Sequence, residues 1–198
     1  MRRLLVATTN TGKQREFRRL LADLRTSVVT PEELGLRLDV EEPHDTYAAN
    51  AAVKAVAHAR ASGHVSLADD SGIEVSALGW GPGVRSARWA GDKGREAERM
   101  LEALAGVADR RARMVCALAL AVPGAGGEPR VEIFTGTVTG EIAESRRGSG
   151  GFGYDPVFVV AGGLTTAELP EVEKDRISHR GRAVQAALPR IREVLGRS

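Results

Sequence analysis

Two adjacent carboxylates, Asp69 and Asp70, followed by the hydroxyl of Ser71 and by Gly72, stand where the apolar pair Leu67-Ala68 stops. Paired carboxylate oxygens suit a hard divalent cation, and a carboxylate beside such an ion can orient and deprotonate a water. The pattern predicts that the pair ends a short strand over 65–68, with a second short strand over 73–77 beyond it. Successive strand side chains point to opposite sides, so only one Asp faces a given ligand and the other is left to hold supporting groups. Upstream, Glu41-Glu42 lies in an acidic stretch over 39–45. A carboxylate from that stretch would complete an oxygen-rich magnesium site.

Three further groups of residues could bind rather than react. Thr8-Thr9-Asn10-Thr11-Gly12-Lys13 puts hydroxyls, an amide and an ammonium where a first strand turns into a helix, an arrangement that attracts phosphate. It is not a Walker A loop, because the leading glycine is missing and Gln14 stands where a magnesium-binding Ser or Thr would be. Residues 148–153 match the dinucleotide pattern G-x-G-x-x-G, but they run into Tyr154-Asp155-Pro156 rather than into a helix, which excludes the Rossmann reading. Phe152 and Tyr154 among those glycines could instead lay a ring against a flat base. Lys174, Ser178, His179 and Arg180 gather donors and cations at the start of a final helix, where anionic or carbonyl-bearing ligands are attracted. Trp80 and Trp89 read as packing residues.

These groups need a scaffold, and the rest of the chain supplies its outline. A first strand over 4–8 leads to a helix over 13–24, and a second strand follows over 27–30. An alanine-rich helix runs from Thr46 to Ser62 and stops at Gly63. A loop dense in Gly and Pro covers 79–91, and a helix follows over 96–104. Long strands over 113–122 and 130–142 are joined through Pro123-Gly124-Ala125-Gly126-Gly127 as an extended hairpin. In the final helix, capped by Ser178, Pro189 predicts a kink or a break. The expected fold is α/β: one domain over 1–198 with a mixed, twisted sheet and flanking helices, the hairpin seeding a second lobe, and a central cleft between lobes for the ligand.

Composition narrows the classes. The 198 residues are 42% hydrophobic and 27% charged with a formal charge of +2, an ordinary globular chain without the basic excess of a nucleic-acid binder. A single cysteine, Cys116, excludes a disulfide framework and a multi-cysteine zinc site. Apolar runs are too short for a signal-peptide core or a bilayer span, so the expected location is cytoplasmic, with no membrane partner.

In order along the chain stand T-x-N-x-x-K (8–13), A-D-D-S-G (68–72), P-G-V-x-S-A-R (82–88), G-G-F-G-Y-D-P (150–156) and S-H-R (178–180). This series resembles the inosine triphosphate pyrophosphatase family, the dITP/XTP diphosphatases that cleanse the nucleotide pool. The resemblance implies a two-lobed homodimer that uses Mg2+ to hydrolyse the purine nucleoside triphosphates ITP, dITP and XTP to monophosphate and pyrophosphate. It further implies that Asp70 is catalytic base and metal ligand and that Glu42 is the other metal carboxylate. Thr8, Thr9, Asn10, Thr11, Gly12, Lys13 and Ser71 would contact the nucleotide. Phe152 would stack on the base, Gly153, Tyr154 and Asp155 would shape its pocket, and Lys174, His179 and Arg180 would line its hydrogen-bonding edge. The runner-up enzyme is a Maf-like pyrophosphatase for modified pyrimidine nucleotides, against which the S-H-R segment counts. A purine nucleotide sensor that does not hydrolyse is the other class, and the metal carboxylates count against it. One departure stands out: the family reads T-[FY]-x-E-N-A, where this chain has Ala49 in place of the Glu.

Overall fold

A parallel triplet of strands anchors the first half of the chain in the computed structural model, which describes residues 3–92, 94–124 and 126–196. β1 (Arg3–Val6) lies between β2 (Ser27–Val29) and β3 (Val65–Val75), with Leu4 opposite both Val28 and Val65. Helices α1 (Thr11–Leu20) and α2 (Tyr47–Ser62) connect them. β4 (Gly81–Pro82) pairs antiparallel with the far end of β3, and α3 (Ser86–Trp89) and α4 (Glu96–Ala103) follow. The hairpin strands β5 (Arg111–Val122) and β6 (Arg130–Ile142) then precede β7 (Phe158–Val159), α5 (Glu171–Ile177) and α6 (His179–Gly196). The sheet is mixed, in the order β2-β1-β3-β5-β6-β7 with β4 on β3, as the predicted α/β class requires. Ala125, in the hairpin connection, lies outside the described residues. None of the described helices is long and apolar enough to cross a membrane.

By internal contacts the chain divides into two units, one from 1–70, 116–136 and 182–198, the other from 71–115 and 137–181. In the first, the alternation along the strands is one of size rather than polarity. Leu118 and Leu120 join Leu4, Val6 and Leu67 in a core with α1 and α6. Ala117, Ala119 and Ala121 join Ala7 and Ala68 on the opposite face against Ala51, Ala55 and Ala59 of α2. Alanine on both sides of that contact lets helix and sheet approach closely, and the i, i+4 spacing of the three helix alanines puts them on one stripe. Thr46 caps α2 by accepting from the Ala49 N–H, and Gly63 ends it in the left-handed region at φ 67°, as the sequence predicts. The second unit packs Ile73 and Val75 with Met100, Leu104, Met114, Val138, Ile142 and Phe158.

Three expectations are corrected. β3 is one continuous strand, so the Asp pair lies inside it and not at the end of one of two short strands. In its first half the strand is packed on both faces, and there polar residues mark partners on the flanking helices rather than a boundary. α6 runs through Pro189 unbroken, with the proline on its exposed side and buried Ala187, Ile191 and Val194 holding the stripe together across it. Trp80 does not pack inside: it is 46% exposed, with the Arg113 guanidinium 4.9 Å above its ring. The Gly-Pro loop is also more ordered than a bare loop. The Ser86 hydroxyl accepts from the Ile73 N–H (2.9 Å), and the Tyr154 hydroxyl donates to the Ser86 carbonyl (2.9 Å).

Candidate functional site

In the first unit β3 sends its two carboxylates to opposite sides, as strand geometry dictates. Asp69 Oδ2 meets Lys13 Nζ of α1 at 3.0 Å. Asp70 Oδ2, on the other side, accepts from Asn50 Nδ2 of α2 at 3.2 Å. Asp70 is 7% exposed, and burial holds its carboxyl above the ordinary Asp range. The Lys54 ammonium and the Asn50 amide pull the other way, and the Glu42 carboxylate adds to the rise. Glu42 Oε2 is itself paired with Lys54 Nζ at 3.0 Å. Asn50 also grips the acidic loop, its Oδ1 accepting from the His44 N–H and its Nδ2 donating to the His44 carbonyl, both at 3.0 Å.

This donor set fits a divalent cation. Glu42 and Asp70 carry hard carboxylate oxygens, and the Lys54 ammonium interacts with both. Among the described residues no group of three or more His, Cys, Asp or Glu side chains forms a metal cage. Magnesium is commonly held just so, by one or two carboxylates with water and substrate phosphate completing its shell.

The strand-to-helix loop is built by its own residues. Asn10 Oδ1 caps α1 by accepting from the Gly12 N–H (2.9 Å) and the Lys13 N–H (3.1 Å). Thr8 Oγ1 accepts from the Asn10 N–H at 3.2 Å, and Gln14 Nε2 donates to the Thr8 carbonyl at 2.8 Å. Asn10, Thr8 and Gly12 thus shape the turn, while Thr9 and Thr11 are exposed and the Lys13 ammonium reaches Asp69.

The second unit gathers the aromatic loop and the last helix. Asp155 is its hub: Oδ2 accepts from Lys174 Nζ and from the Phe152 N–H, both at 2.7 Å, and Oδ1 accepts from Thr166 Oγ1 at 2.8 Å. Gly151 must be glycine, since φ is +72° and a Cβ there would overlap the Asp155 carboxylate. The Lys174 ammonium lies 5.3 Å from the Phe152 ring centroid and the Arg180 guanidinium 5.8 Å, both at cation–π range. Arg180, 3% exposed, donates from Nη2 to Ser71 Oγ at 3.0 Å. Ser178 joins α5 to α6 and accepts from the Gly181 N–H at 3.0 Å, the predicted cap, and His179 opens α6. Tyr154 belongs to the core, where burial pushes its phenol well above the usual range. Phe152, Asp155, Lys174, Arg180 and Ser71 therefore come together in this unit, and Asp70, Glu42, Lys13 and Asp69 are placed by α1, α2 and β3 in the other.

Asn50 and Lys54 escape the sequence reading. The signal available was their i, i+4 spacing on an otherwise alanine-rich helix, which puts an amide and an ammonium one turn apart on one face.

Against known proteins, a sequence model of the Ham1 family matches residues 4–190. The chain is 49% identical over 191 residues to the dITP/XTP pyrophosphatase of Gloeobacter violaceus, covering 95% of this chain and 93% of that protein. It is 45% identical over 202 residues to the dITP/XTP pyrophosphatase of Symbiobacterium thermophilum, covering 98% and 97%. Among solved structures it is similar to a HAM1 protein from Coxiella burnetii, with a TM-score of 0.82, 39% identity and 100% of both chains covered. The Staphylococcus aureus Ham1 protein is similar at a TM-score of 0.82 and 38% identity, covering 97% of this chain and 99% of that one.

Proposed function

The chain belongs to the Ham1 family, and from that premise we propose that it is a nucleoside triphosphate pyrophosphatase that hydrolyses the non-standard purine nucleotides dITP, ITP and XTP to the monophosphate and pyrophosphate. The observation that carries the chemistry is the buried Asp70, steadied by Asn50 and the Lys54 ammonium, which also pairs with the second carboxylate, Glu42.

Asp70 and Glu42 would hold a divalent cation, magnesium in this reading, which when bound neutralises phosphate oxygens and acidifies a water. Asp70 is the general base: its carboxylate takes the proton of the attacking water as a bond of the triphosphate chain breaks and pyrophosphate leaves. A carboxyl raised by burial is a better proton acceptor than an ordinary Asp, which suits it to that work. Lys13 and the hydroxyls of Thr9 and Thr11 bind the triphosphate, on a turn that Thr8, Asn10 and Gly12 shape. Phe152 stacks on the base, and Lys174, His179 and Arg180 donate to the carbonyl that hypoxanthine and xanthine carry at position 6. Adenine offers an amine there, which leaves those donors unpaired. Gly153, Tyr154 and Asp155 hold the stacking loop in place. A homodimer, which rests on the family resemblance, and a cytoplasmic location, which rests on the short apolar runs, belong to the same proposal.

The test is a panel of nucleoside triphosphates with separate detection of pyrophosphate and orthophosphate. ITP, dITP and XTP are expected to yield pyrophosphate in the presence of magnesium, and ATP far less. Orthophosphate with a diphosphate product overturns the mechanism.

A further inference from the structure

The acidic loop that carries Glu42 has no regular secondary structure over 41–44, so the position of its carboxylate depends on what ties the loop down. One side chain ties it at two points. Asn50 is 2% exposed and sits in the first turn of α2. Its Oδ1 accepts from the N–H of His44 and its Nδ2 donates to the His44 carbonyl, a closed two-bond pairing with the backbone two residues beyond Glu42. This pairing settles which end of the amide is which, because only the oxygen can accept from a backbone N–H. The second Nδ2 proton is thereby aimed at Asp70 Oδ2.

We propose that Asn50 is a positioning residue that sets the spacing of the two candidate metal carboxylates, fastening the Glu42 loop and the Asp70 side chain to a single point on α2. The inference rests on the reading of Glu42 and Asp70 as the metal pair. Lys54, one turn further along α2, holds the Glu42 carboxylate itself, so the helix controls both the loop backbone and its side chain. Nothing but a primary amide performs the Asn50 task. A carboxylate would accept from His44 but has no proton for either the His44 carbonyl or Asp70, and an aliphatic side chain would leave all three groups without this partner. Glutamine carries the same amide one methylene further out. Groups that orient metal ligands without touching the ion change metal affinity or activity by about 10- to 100-fold when removed.

The experiment uses the full chain and Asn50→Leu, which keeps the buried volume, with Asn50→Gln as the conservative variant. Magnesium is titrated without nucleotide, read as the rise in unfolding midpoint, and ITP hydrolysis is followed across magnesium concentration. For Asn50→Leu the apparent magnesium constant is expected to weaken by about tenfold or more, with KM for ITP at saturating magnesium nearly unchanged, and Asn50→Gln should recover part of the loss. A variant equal to wild type in magnesium binding and kcat overturns the proposal while leaving the pyrophosphatase reading intact. A wild-type protein that neither binds magnesium nor hydrolyses ITP overturns both. Hydrogen exchange on the wild type covers the case in which Asn50→Leu does not fold. The His44 amide is expected to be protected like those of α2, and exchange at the rate of an open loop overturns the proposal.

Discussion

The two charged clusters are built on opposite principles. In the first unit the ion pairs are half open: the side chains of Lys54 and Glu42 are 15% and 31% exposed, and that of Lys13 is 17% exposed beside the buried Asp69. In the second unit Lys174 and Asp155 are 7% and 6% exposed. A pair in contact with water contributes about 0–1 kcal/mol, so the Lys54–Glu42 contact can be exchanged for a phosphate or a cation at little cost, whereas Lys13 also serves the buried Asp69. A buried pair is different, because removing one partner strands the other charge at a cost of about 3–5 kcal/mol. In the proposed function the first cluster handles a charged chain that arrives with its metal and leaves as pyrophosphate, and that work needs replaceable contacts. Choosing between bases, the work proposed for the second, needs donors that stay in place, and the Asp155 hub holds Lys174 and the Phe152 loop.

The sharpest way to break this contrast is Asp155→Ala. It strands the Lys174 ammonium and removes the acceptor of the Phe152 N–H and of Thr166 Oγ1 together. The expected loss of unfolding free energy is about 3–5 kcal/mol, measured by urea denaturation. Glu42→Ala, at the half-open pair, should cost less than about 1 kcal/mol in the same assay while impairing magnesium-dependent hydrolysis. Equal losses of stability for the two variants would erase the distinction between the clusters.

Asp70→Asn comes next. Losing a positioned general base should lower kcat by about two orders of magnitude or more. Stability should move the other way. The folded pKa of Asp70 is raised, so the folded state holds its proton more firmly than the unfolded one, and ionising the group costs stability as pH rises from the ordinary Asp range through the raised value. Asn cannot ionise. In metal-free protein the variant should therefore melt above wild type at neutral pH, and the gap should close as pH falls through that window. A wild type that melts higher at neutral pH would show that Lys54 and Asn50 outweigh burial. Asp69→Asn should retain more activity than Asp70→Asn, since Asp69 faces Lys13 from the other side of β3.

How far each cluster is legible in the sequence follows from the same physics. The capping of α2 by Thr46 and Gly63 and the cap at Ser178 are local, written in a few neighbouring residues, and they stand as read. The continuity of β3 is not local. Two polar residues in an apolar run look like its end, and only the partners supplied by Lys13 and Asn50, 56 and 20 positions away in the numbering, let the strand carry them inside. Asn50 and Lys54 were hidden because an amide and an ammonium on a helix are ordinary surface residues until tertiary structure buries them against a carboxylate. Trp80 errs in the other direction. An indole is usually packed, yet this one follows the left-handed Gly79, takes φ +64° itself and stays out under Arg113.

The rigidity of the base cluster is sharpened by Arg180→Ala. The variant leaves the base carbonyl without this donor, which costs about 1–3 kcal/mol when buried, so kcat/KM for ITP should fall by about tenfold to a hundredfold while that for ATP changes much less. Equal losses for both nucleotides would assign Arg180 to the phosphates. Because Arg180 also donates to Ser71, Ser71→Ala separates its two contacts: a narrowed ITP preference in that variant would mean the hydroxyl helps aim the guanidinium.

The smallest expected effect tests whether the half-open cluster extends one residue further. Thr46 Oγ1 accepts from the Ala49 N–H at 3.3 Å, half of a capping box, and Ala49 has nothing to return to the Thr46 N–H. The first turn of α2 carries no acidic residue at all. A glutamate at 49 would complete the box and meet the positive end of the helix dipole, for about 0.3–1 kcal/mol in an exposed setting. Ala49→Glu should then raise the unfolding midpoint slightly and leave kcat within a fewfold, because the carboxylates assigned to the cation are Asp70 and Glu42. The discriminating measurement is hydrolysis against magnesium concentration. An unchanged apparent magnesium constant keeps position 49 in the cap. A large gain would place its carboxylate in the metal's surroundings, next to the Asn50 that already fastens Asp70, and would widen the replaceable cluster by one turn of α2.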